Sequence, residues 1–448
     1  MKILLISANT AKMPYPVYPL GLSIVAAAAR EAGHQVQYFD FLQSDMSFSA
    51  LEKTIEKESP DVIGISIRNI DNVNILREEC YLEKVRRIVE LLREISNAKI
   101  VLGGSAFSIM PEPILKTVGG DYGICGEGEQ VFVRFLNEAE KGNYPPTGTI
   151  LSGDDYLGGD AMPSPYYEKD LLARYLESGS VTPVQTKRGC PHNCLYCSYP
   201  ALEGHKLRPR DPVQVVDDIE ALQNEHEVSY VFFTDSVFND SKGLFLEVVR
   251  EMKKRGIRIP WSAFFNPANI TPENVAEMKE TGLRAAEVGS DAACDETLKG
   301  QRKPFTWADV IRANDIFRDG GVSTAHYFMF GGPGETRETV KKGIENIKNL
   351  DCSAVFVFLG IRILPRTELK EVAIRESLVS ADNELLEPVY YFSPALDRDW
   401  LEKTLNEAFE PLRYVVYPPN AMDDKLQMLH KLGHTGALWD LLSALPEN

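Results

Sequence analysis

Residues 186–200 read TKRGCPHNCLYCSYP and set three cysteines, Cys190, Cys194 and Cys197, on one short loop. The chain holds seven cysteines in 448 residues, so the crowding answers a local chemical demand. Cys80, Cys125, Cys294 and Cys352 are scattered, mostly among apolar or small residues, and read as ordinary core thiols of a reducing compartment. The spacing Cys-x3-Cys-x2-Cys comes straight after a strand candidate, VTPVQTK (181–187), and Gly189 and Pro191 permit a tight backbone path. Thiolates are soft ligands, suited to an iron–sulfur cluster or to zinc. Three thiolates on a four-iron cube leave one iron open to a small molecule. The rival is a Cys3His zinc site completed by His192 or His205. Structural zinc sites usually draw two ligands from each of two knuckles, and no second knuckle follows here, which favours the cluster.

Working outward, the alternation of strand and helix signals decides the fold class, α/β. Upstream, KILLIS (2–7), QVQYFDF (35–41), DVIGISI (61–67), AKIVLGG (98–104) and DYGICGEGE (121–129) read as strands. Helical patterns such as GLSIVAAAAREAG (21–33) and YLEKVRRIVELLREI (81–95) separate them. That order predicts a doubly wound, Rossmann-like parallel sheet over 1–141, with its ligand site at the carboxyl ends of the strands. Residues 142–182 are rich in glycine and proline and read as a linker. Downstream, VTPVQTK, VSYVFFTD (228–235), IPWSAFF (259–265), RAAEVGSD (284–291), STAHYFMFGG (323–332) and AVFVFLGI (354–361) alternate with helices. They predict a partial (β/α)6 barrel over 183–375. The remainder, 376–448, reads as a mostly helical cap.

Bulk properties narrow the function classes. The net charge of −17, from 48 basic and 65 acidic residues, disfavours a phosphate backbone as main substrate, so no nucleic acid partner is expected. No apolar run approaches the roughly eighteen residues of a membrane span, and MKILLISANT reads as a buried first strand with no signal-peptide pattern. A cytoplasmic location is the expectation.

The trio, with the aromatic Tyr196 before its last cysteine, resembles the radical S-adenosylmethionine (radical SAM) signature. Four further segments resemble that family in the right order. They are FTDSVFND with Thr234 and Asp235, EVGSDAACDETLKGQRK with Asp291 and Lys303, FMFGGPGETRET with Gly331, Gly332, Pro333, Gly334 and Glu335, and GIRILPRTEL with Pro365 and Thr367. The resemblance implies a [4Fe–4S] cluster on Cys190, Cys194 and Cys197. It also implies S-adenosylmethionine held near Tyr196, Asp235, Asp291, Lys303, Gly331, Gly332 and Pro333, cleaved by one electron to methionine and a 5′-deoxyadenosyl radical. The common Gly-Gly-Glu form is missing beside Asp235, which leaves the role of that residue open.

The first domain is similar to the cobalamin-binding domains fused to such barrels, through YPVYPLGLSIVAAAAREAGHQV, IGISIRNIDN, VLGGSAFSIMPE and YGICGEGE. The resemblance implies a crevice lined by Pro19, Gly21, Ser66, Gly103, Gly104, Ser105, Gly126, Glu127 and Gly128; the plainer alternative is a domain whose glycines only close turns. The Asp-x-His-x-x-Gly motif that gives a histidine to cobalt is absent, and His34 lies in a solvated helix-to-strand turn. We therefore expect Arg68, or Asn69 beside it, near the lower face of cobalt; the rival is an ordinary Arg68–Asp71 ion pair. Of His326 and Tyr327 on the fifth barrel strand, one faces the interior, with the histidine expected in the packing. The family implied is that of cobalamin-dependent radical SAM enzymes. The expected activity is methylation of an unactivated carbon of a small-molecule or lipid-like substrate, fed by an external electron donor of flavodoxin or ferredoxin type. Ring formation or another radical conversion is the runner-up, and a non-catalytic cobalamin or metal sensor is the reading from another class. No catalytic residue is assigned by the sequence.

Overall fold

The computed structural model describes residues 1–448 apart from 14, 154, 440 and 442–448, so the last stretch of the expected cap lies outside the described residues. The first sheet is built from β1 (Lys2–Ser7), β2 (Gln35–Asp40), β3 (Val62–Ser66), β4 (Lys99–Gly103), β5 (Tyr122–Cys125) and β6 (Ile150–Ser152). All pair in parallel, in the order β2-β1-β3-β4-β5-β6. Strands buried on both faces need near-continuous apolar runs, and KILLIS and VIGIS supply them. The strand order reverses beside β1, which opens a crevice at the carboxyl ends of β1 and β3.

The expected linker 142–182 is more than a linker. It contributes edge strand β6 to the first sheet and the helix Lys169–Glu177, whose buried Leu171, Leu172 and Tyr175 pack into the barrel's outer core. Tyr175 also donates to the buried Asp40 of β2 at 2.9 Å, tying the connector to both domains.

The second sheet begins with β7 (Thr182–Val184), which runs on through the short ribbon β8 (Lys187–Arg188) and β9 (Arg208–Pro209) around the cysteine loop. Then come β10 (Val231–Phe233), β11 (Trp261–Phe265), β12 (Leu283–Asp291), β13 (Ser323–Phe330) and β14 (Ala354–Leu359), with the small antiparallel pair β15 (Ile361–Arg362) and β16 (Tyr390–Tyr391) beyond them. The segment expected to be only a helical cap adds a seventh strand, β17 (Val415–Val416), in parallel beside β14. The order β7-β10-β11-β12-β13-β14-β17 makes an open barrel with β7 and β17 at its edges. A two-residue strand is too short to show period-two alternation, so the sequence pattern could not announce it.

Side chains alternate across the barrel wall. Ala286, Val288, Phe328, Val355 and Val357 pack outward against the helices. Ala285, Ala325 and Ala354 point inward, where Leu426, Leu429, Leu438 and Trp439 of the C-terminal region close the floor. His326 is outward and buried, between Ser290 at 2.8 Å and Asn314 at 3.1 Å, and burial pulls its pKa down to about 3. The expected packing role therefore holds for His326, while Tyr327 faces the interior. The open side is filled by the loop after β1, with Tyr15 against Val181, Tyr230 and Phe232, and Met13 against the floor cluster. Among the described residues no helix is long and apolar enough to cross a membrane.

The domains are also joined by a buried ion pair. Arg362 of β15 meets Asp71 of the first domain at 2.9 Å, each side chain 2% exposed, and the guanidinium also donates to the carbonyls of Ile363 and Leu385. Removing one partner of such a pair strands the other charge without water. Arg362→Ala is expected to lower unfolding free energy by about 3–5 kcal/mol, read as a shifted urea midpoint; a shift under about 1 kcal/mol would contradict this account.

Candidate cofactor site

A cavity of about 400 Å³ lies where the carboxyl ends of the two sheets meet. Pro19, Gly21, Ser66, Arg68, Gly103, Gly104, Ser105, Gly126, Glu127 and Gly128 all line it; Asn69 does not. Close backbone approach explains two of the glycines. Gly104 has φ +98°, and a Cβ there would sit 2.5 Å from the Ile67 carbonyl oxygen. Gly126 has φ +85° with open space where a side chain would project, so a residue there would intrude on the cavity. Ser105 Oγ donates to the Arg68 carbonyl at 2.8 Å and fixes the backbone that carries the guanidinium.

The rival role for Arg68 does not hold. Asp71 is taken by Arg362, and Arg68 makes no ion pair among the described residues. His34 is buried, not solvated, packed beside the N-terminal amine with its pKa lowered by burial. It is not part of the lining, which contains no histidine. Sequence reasoning missed the deep wall, including Leu5, Asn9 and Phe132, and the barrel-side wall, including Gln185, Tyr199, Glu203 and Thr234. Asn9 was findable as the polar residue just past an apolar strand. The barrel-side residues carry no local signal, because only the docking of the second domain brings them there.

The cysteine loop forms the adjoining edge. Gly189 turns it with φ +89°, where a Cβ would strike the Lys206 carbonyl at 2.1 Å. Cys190 is buried, and Cys194 and Cys197 are half-buried. Directly after Cys197 the short helix Tyr199–Glu203 runs into the cavity wall. Lys303 Nζ approaches Cys194 Sγ at 3.3 Å and the Tyr196 hydroxyl at 3.4 Å, and forms an ion pair with Asp291. Burial works against the Lys303 charge, but Asp291, Tyr196 and Cys194 outweigh it and raise its pKa. The glycine turn is contiguous with this group. A Cβ on Gly332 would sit 3.0 Å from Gln301 Nε2, a Cβ on Gly300 would meet the Pro333 carbonyl at 2.1 Å, and the Gln301 carbonyl accepts from Leu195 N at 3.1 Å. Tyr196, Asp291 and Lys303 thus gather at Cys194, and Gly332 and Pro333 connect to the same loop through Gly300 and Gln301.

Asp235 is placed differently. It is 1% exposed and accepts from Thr186 N at 2.7 Å, from Lys187 N and Nζ, and from the Thr186 hydroxyl. Its carboxylate locks the strand that leads into the cysteine loop, and Thr234 before it faces the cavity instead. Glu127 also has a second task. It pairs with Arg208 at 2.6 Å and Arg188 at 3.3 Å, while Arg188 binds Glu129, so four buried charges clamp the first domain to the cysteine ribbon.

The donor set can be tested against each implied group. Zinc fits poorly: His192 Nε2 lies 3.3 Å from Asn266 Nδ2, His205 is exposed, and among the described residues no three His, Cys, Asp or Glu side chains gather around a single-ion position. Three free thiols fit a cube, whose irons take one thiolate each. Burial raises the Cys190 thiol and pushes Cys197 up to about 12, so bare thiolates are costly there and a cationic cluster supplies the missing charge. For cobalamin, the crevice offers the glycine cradle and the orphaned, buried Asn9 Nδ2 and Glu129 Oε2 in its lining. Both fits hold.

Comparison with known proteins agrees with this geometry. The B12 binding domain model matches residues 6–136 and the Radical SAM superfamily model matches residues 184–347. An uncharacterised methyltransferase of Pyrococcus horikoshii is 28% identical, covering 82% of this chain and 80% of its own length. The tryptophan 2-C-methyltransferase of Streptomyces laurentii is 24% identical, covering 78% of this chain and 71% of its own. The fold matches the radical S-adenosylmethionine methyltransferase TsrM from Kitasatospora setae, solved with cobalamin and a [4Fe-4S] cluster bound. The TM-score is 0.86 at 24% identity, over 99% of this chain and 97% of that one.

Glu335 gives this site a pH signature. It is buried and accepts from the Gly331 and Gly332 amides, and burial raises its carboxyl from an ordinary 4.5 to about 7. Between those values the folded chain holds the proton more tightly than the unfolded chain, so this group's contribution to stability falls as pH rises through the window and levels off above it. Glu335→Gln keeps an acceptor oxygen and cannot ionise. Melting curves of the variant between about pH 5 and 7.5 are expected to slope less with pH than those of the parent; equal slopes would clear Glu335 of this role.

Proposed function

We propose, from the premise that this chain belongs to the radical SAM family carrying an N-terminal B12-binding domain, that it is a cobalamin-dependent methyltransferase acting on a small molecule. The observation that carries the reading is the continuity of one cavity from the glycine cradle of the first sheet to Tyr199, two residues past the last cluster cysteine. Cys190, Cys194 and Cys197 would hold the cluster; Tyr196, Asp291, Lys303 and the turn Gly331–Pro333 would hold S-adenosylmethionine. Pro19, Gly21, Ser66, Gly103, Gly104, Ser105 and Gly126 to Gly128 would hold cobalamin. When bound, the cluster supplies one electron to S-adenosylmethionine and cobalamin supplies the methyl group.

The chain's own residues set the surroundings. Lys303 holds positive charge at Cys194 and pairs with Asp291 beside the loop. Arg68, without a carboxylate partner among the described residues and anchored through Ser105, would present charge rather than a ligand to the lower face of cobalt. The Glu127–Arg188–Arg208 clamp keeps both ligand edges at a fixed separation and closes the crevice to water from that side. We assign Asp235 to positioning of the cluster strand rather than to ligand contact. The substrate, small or lipid-like, enters from the barrel side. A flavodoxin- or ferredoxin-type donor in a reducing cytoplasm would deliver the electron.

Anaerobically reconstituted protein supplied with cobalamin, S-adenosylmethionine and a low-potential reductant is expected to form both S-adenosylhomocysteine and 5′-deoxyadenosine. 5′-Deoxyadenosine alone would point to ring formation or another radical conversion, and neither product to a sensor. Any single Cys190→Ala, Cys194→Ala or Cys197→Ala change should abolish both products and the iron-based visible absorption. Arg68→Ala should alter the visible spectrum of bound cobalamin, and an unchanged spectrum would remove Arg68 from the cobalt face.

A further inference from the structure

A run of side-chain hydrogen bonds crosses the cavity wall from the first domain to the cysteine loop. It begins at Glu129, in the first turn of the helix Gly128–Glu140, whose Oε1 accepts from Arg188 Nη2. Arg188 Nε donates to Gln185 Oε1 at 3.0 Å, and Gln185 Nε2 donates to Glu203 Oε1 at 3.3 Å. Glu203 Oε2 then accepts from Ser236 Oγ at 2.9 Å and from Gly189 N, one residue before Cys190, at 3.2 Å. Glu129, Arg188, Gln185 and Glu203 all line the cavity. Gln185 is the joint of this run. Its oxygen faces a guanidinium and its nitrogen a carboxylate, so the reversed amide would set donor against donor and acceptor against acceptor. Only one orientation serves both neighbours.

A chain of contacts carries coupling only when one end has two arrangements that a ligand can tell apart. Glu129 is such an end. It is 4% exposed, yet its Oε2 makes no hydrogen bond. A buried carboxylate oxygen without a donor is costly, so this group is held through one oxygen and gains from a donor on a ligand in the crevice. Cobalamin carries carboxamide N–H groups around its ring that can serve. Holding Glu129 by both oxygens fixes Arg188 and, through Gln185, the carboxylate that grips Gly189. The ordering of the cysteine-loop edge is then complete before a second ligand arrives. We propose that Gln185 is a positioning residue that couples the two ligand sites: through Glu203 it sets the cysteine loop for S-adenosylmethionine when cobalamin fills the crevice, so that each ligand tightens the other. This coupling rests on the two sites assigned above and not on the product formed.

Equilibrium binding of radiolabelled S-adenosylmethionine to the cluster-reconstituted full chain is measured with and without saturating hydroxocobalamin. No reductant is present, so there is no turnover. Cobalamin is expected to tighten the parent's binding about ten-fold, and S-adenosylmethionine should tighten cobalamin by the same factor, because coupling is reciprocal. Gln185→Met keeps the side-chain length and removes both hydrogen bonds. In this variant the factor should fall to within about two-fold, while binding to cobalamin-free protein stays within about two-fold of the parent's. Weaker binding in both states with the factor intact would mark a purely structural role and overturn the proposal. Glu203→Gln, with one acceptor oxygen where the run needs two, should lose the factor as well. Retained cluster and cobalamin absorption report that the variants are folded. A parent factor within about two-fold overturns the proposal even if no variant folds. Binding of neither ligand overturns it together with the proposed function, whereas coupled binding without methyl transfer overturns the proposed function and leaves the coupling standing.

Discussion

Two buried arginines, Arg188 and Arg208, face Glu127 and Glu129 across the domain boundary, and the rest of the molecule is arranged around that contact. Arg188 and Arg208 are directly opposite in the ribbon that carries the cysteine loop, and Glu127 stands at the carboxyl end of β5. Fully desolvated charges tolerate little displacement, because each lost partner leaves a bare ion. The contact therefore fixes, side by side, the ligand edges of two parallel sheets that are otherwise separate domains.

That juxtaposition makes one working volume out of two ordinary ones. A parallel sheet collects its loops and ligands at the carboxyl ends of its strands, whatever the chemistry. Here both sheets turn those ends toward each other, so the glycine cradle, Arg68 and the residues flanking the cysteine loop, Arg188 and Tyr199, share a cavity. The other carboxylates near the boundary act in the same sense. Asp71 is consumed by Arg362, Asp235 by Thr186 and Lys187, and Glu335 by the amides of the glycine turn. Spending acidic groups on structure leaves Arg68 without an ion-pair partner among the described residues and Lys303 shared between Asp291 and Cys194.

The barrel shows the same economy along its axis. Small residues, Ala285, Ala325 and Ala354, admit the C-terminal plug at the bottom, and the aromatic pairs Phe232–Phe264 and Tyr327–Phe356 face the same interior. The loop after β1 fills the gap between the edge strands, so the first domain supplies both the crevice and part of the barrel wall.

Much of this was legible in the amino-acid sequence. Continuous apolar runs such as KILLIS identify parallel strands because both faces of such a sheet are buried. Cys190, Cys194 and Cys197 point to soft-metal chemistry because three thiols on one short loop suit an iron–sulfur cluster or zinc, and the glycine turns mark the crevice because close backbone approach excludes side chains. These are local constraints, written within a few residues. Which partner each charge takes is not local. Asp71 lies beside Arg68 in sequence yet pairs with Arg362, Asp235 turns away from the ligands, and Glu127 joins a clamp as well as a lining. β17 and the edge strand from the supposed linker are too short to carry a pattern of their own. The pairing of Glu287 with Tyr327 joins two strands, Glu287 lying opposite Ala325 and Tyr327 two residues further along, so no local pattern announces it. Local sequence fixes what a residue can do; the packing of distant segments decides whom it meets, since a charge or a hydrogen-bond donor removed from water must be satisfied by whatever the fold brings near.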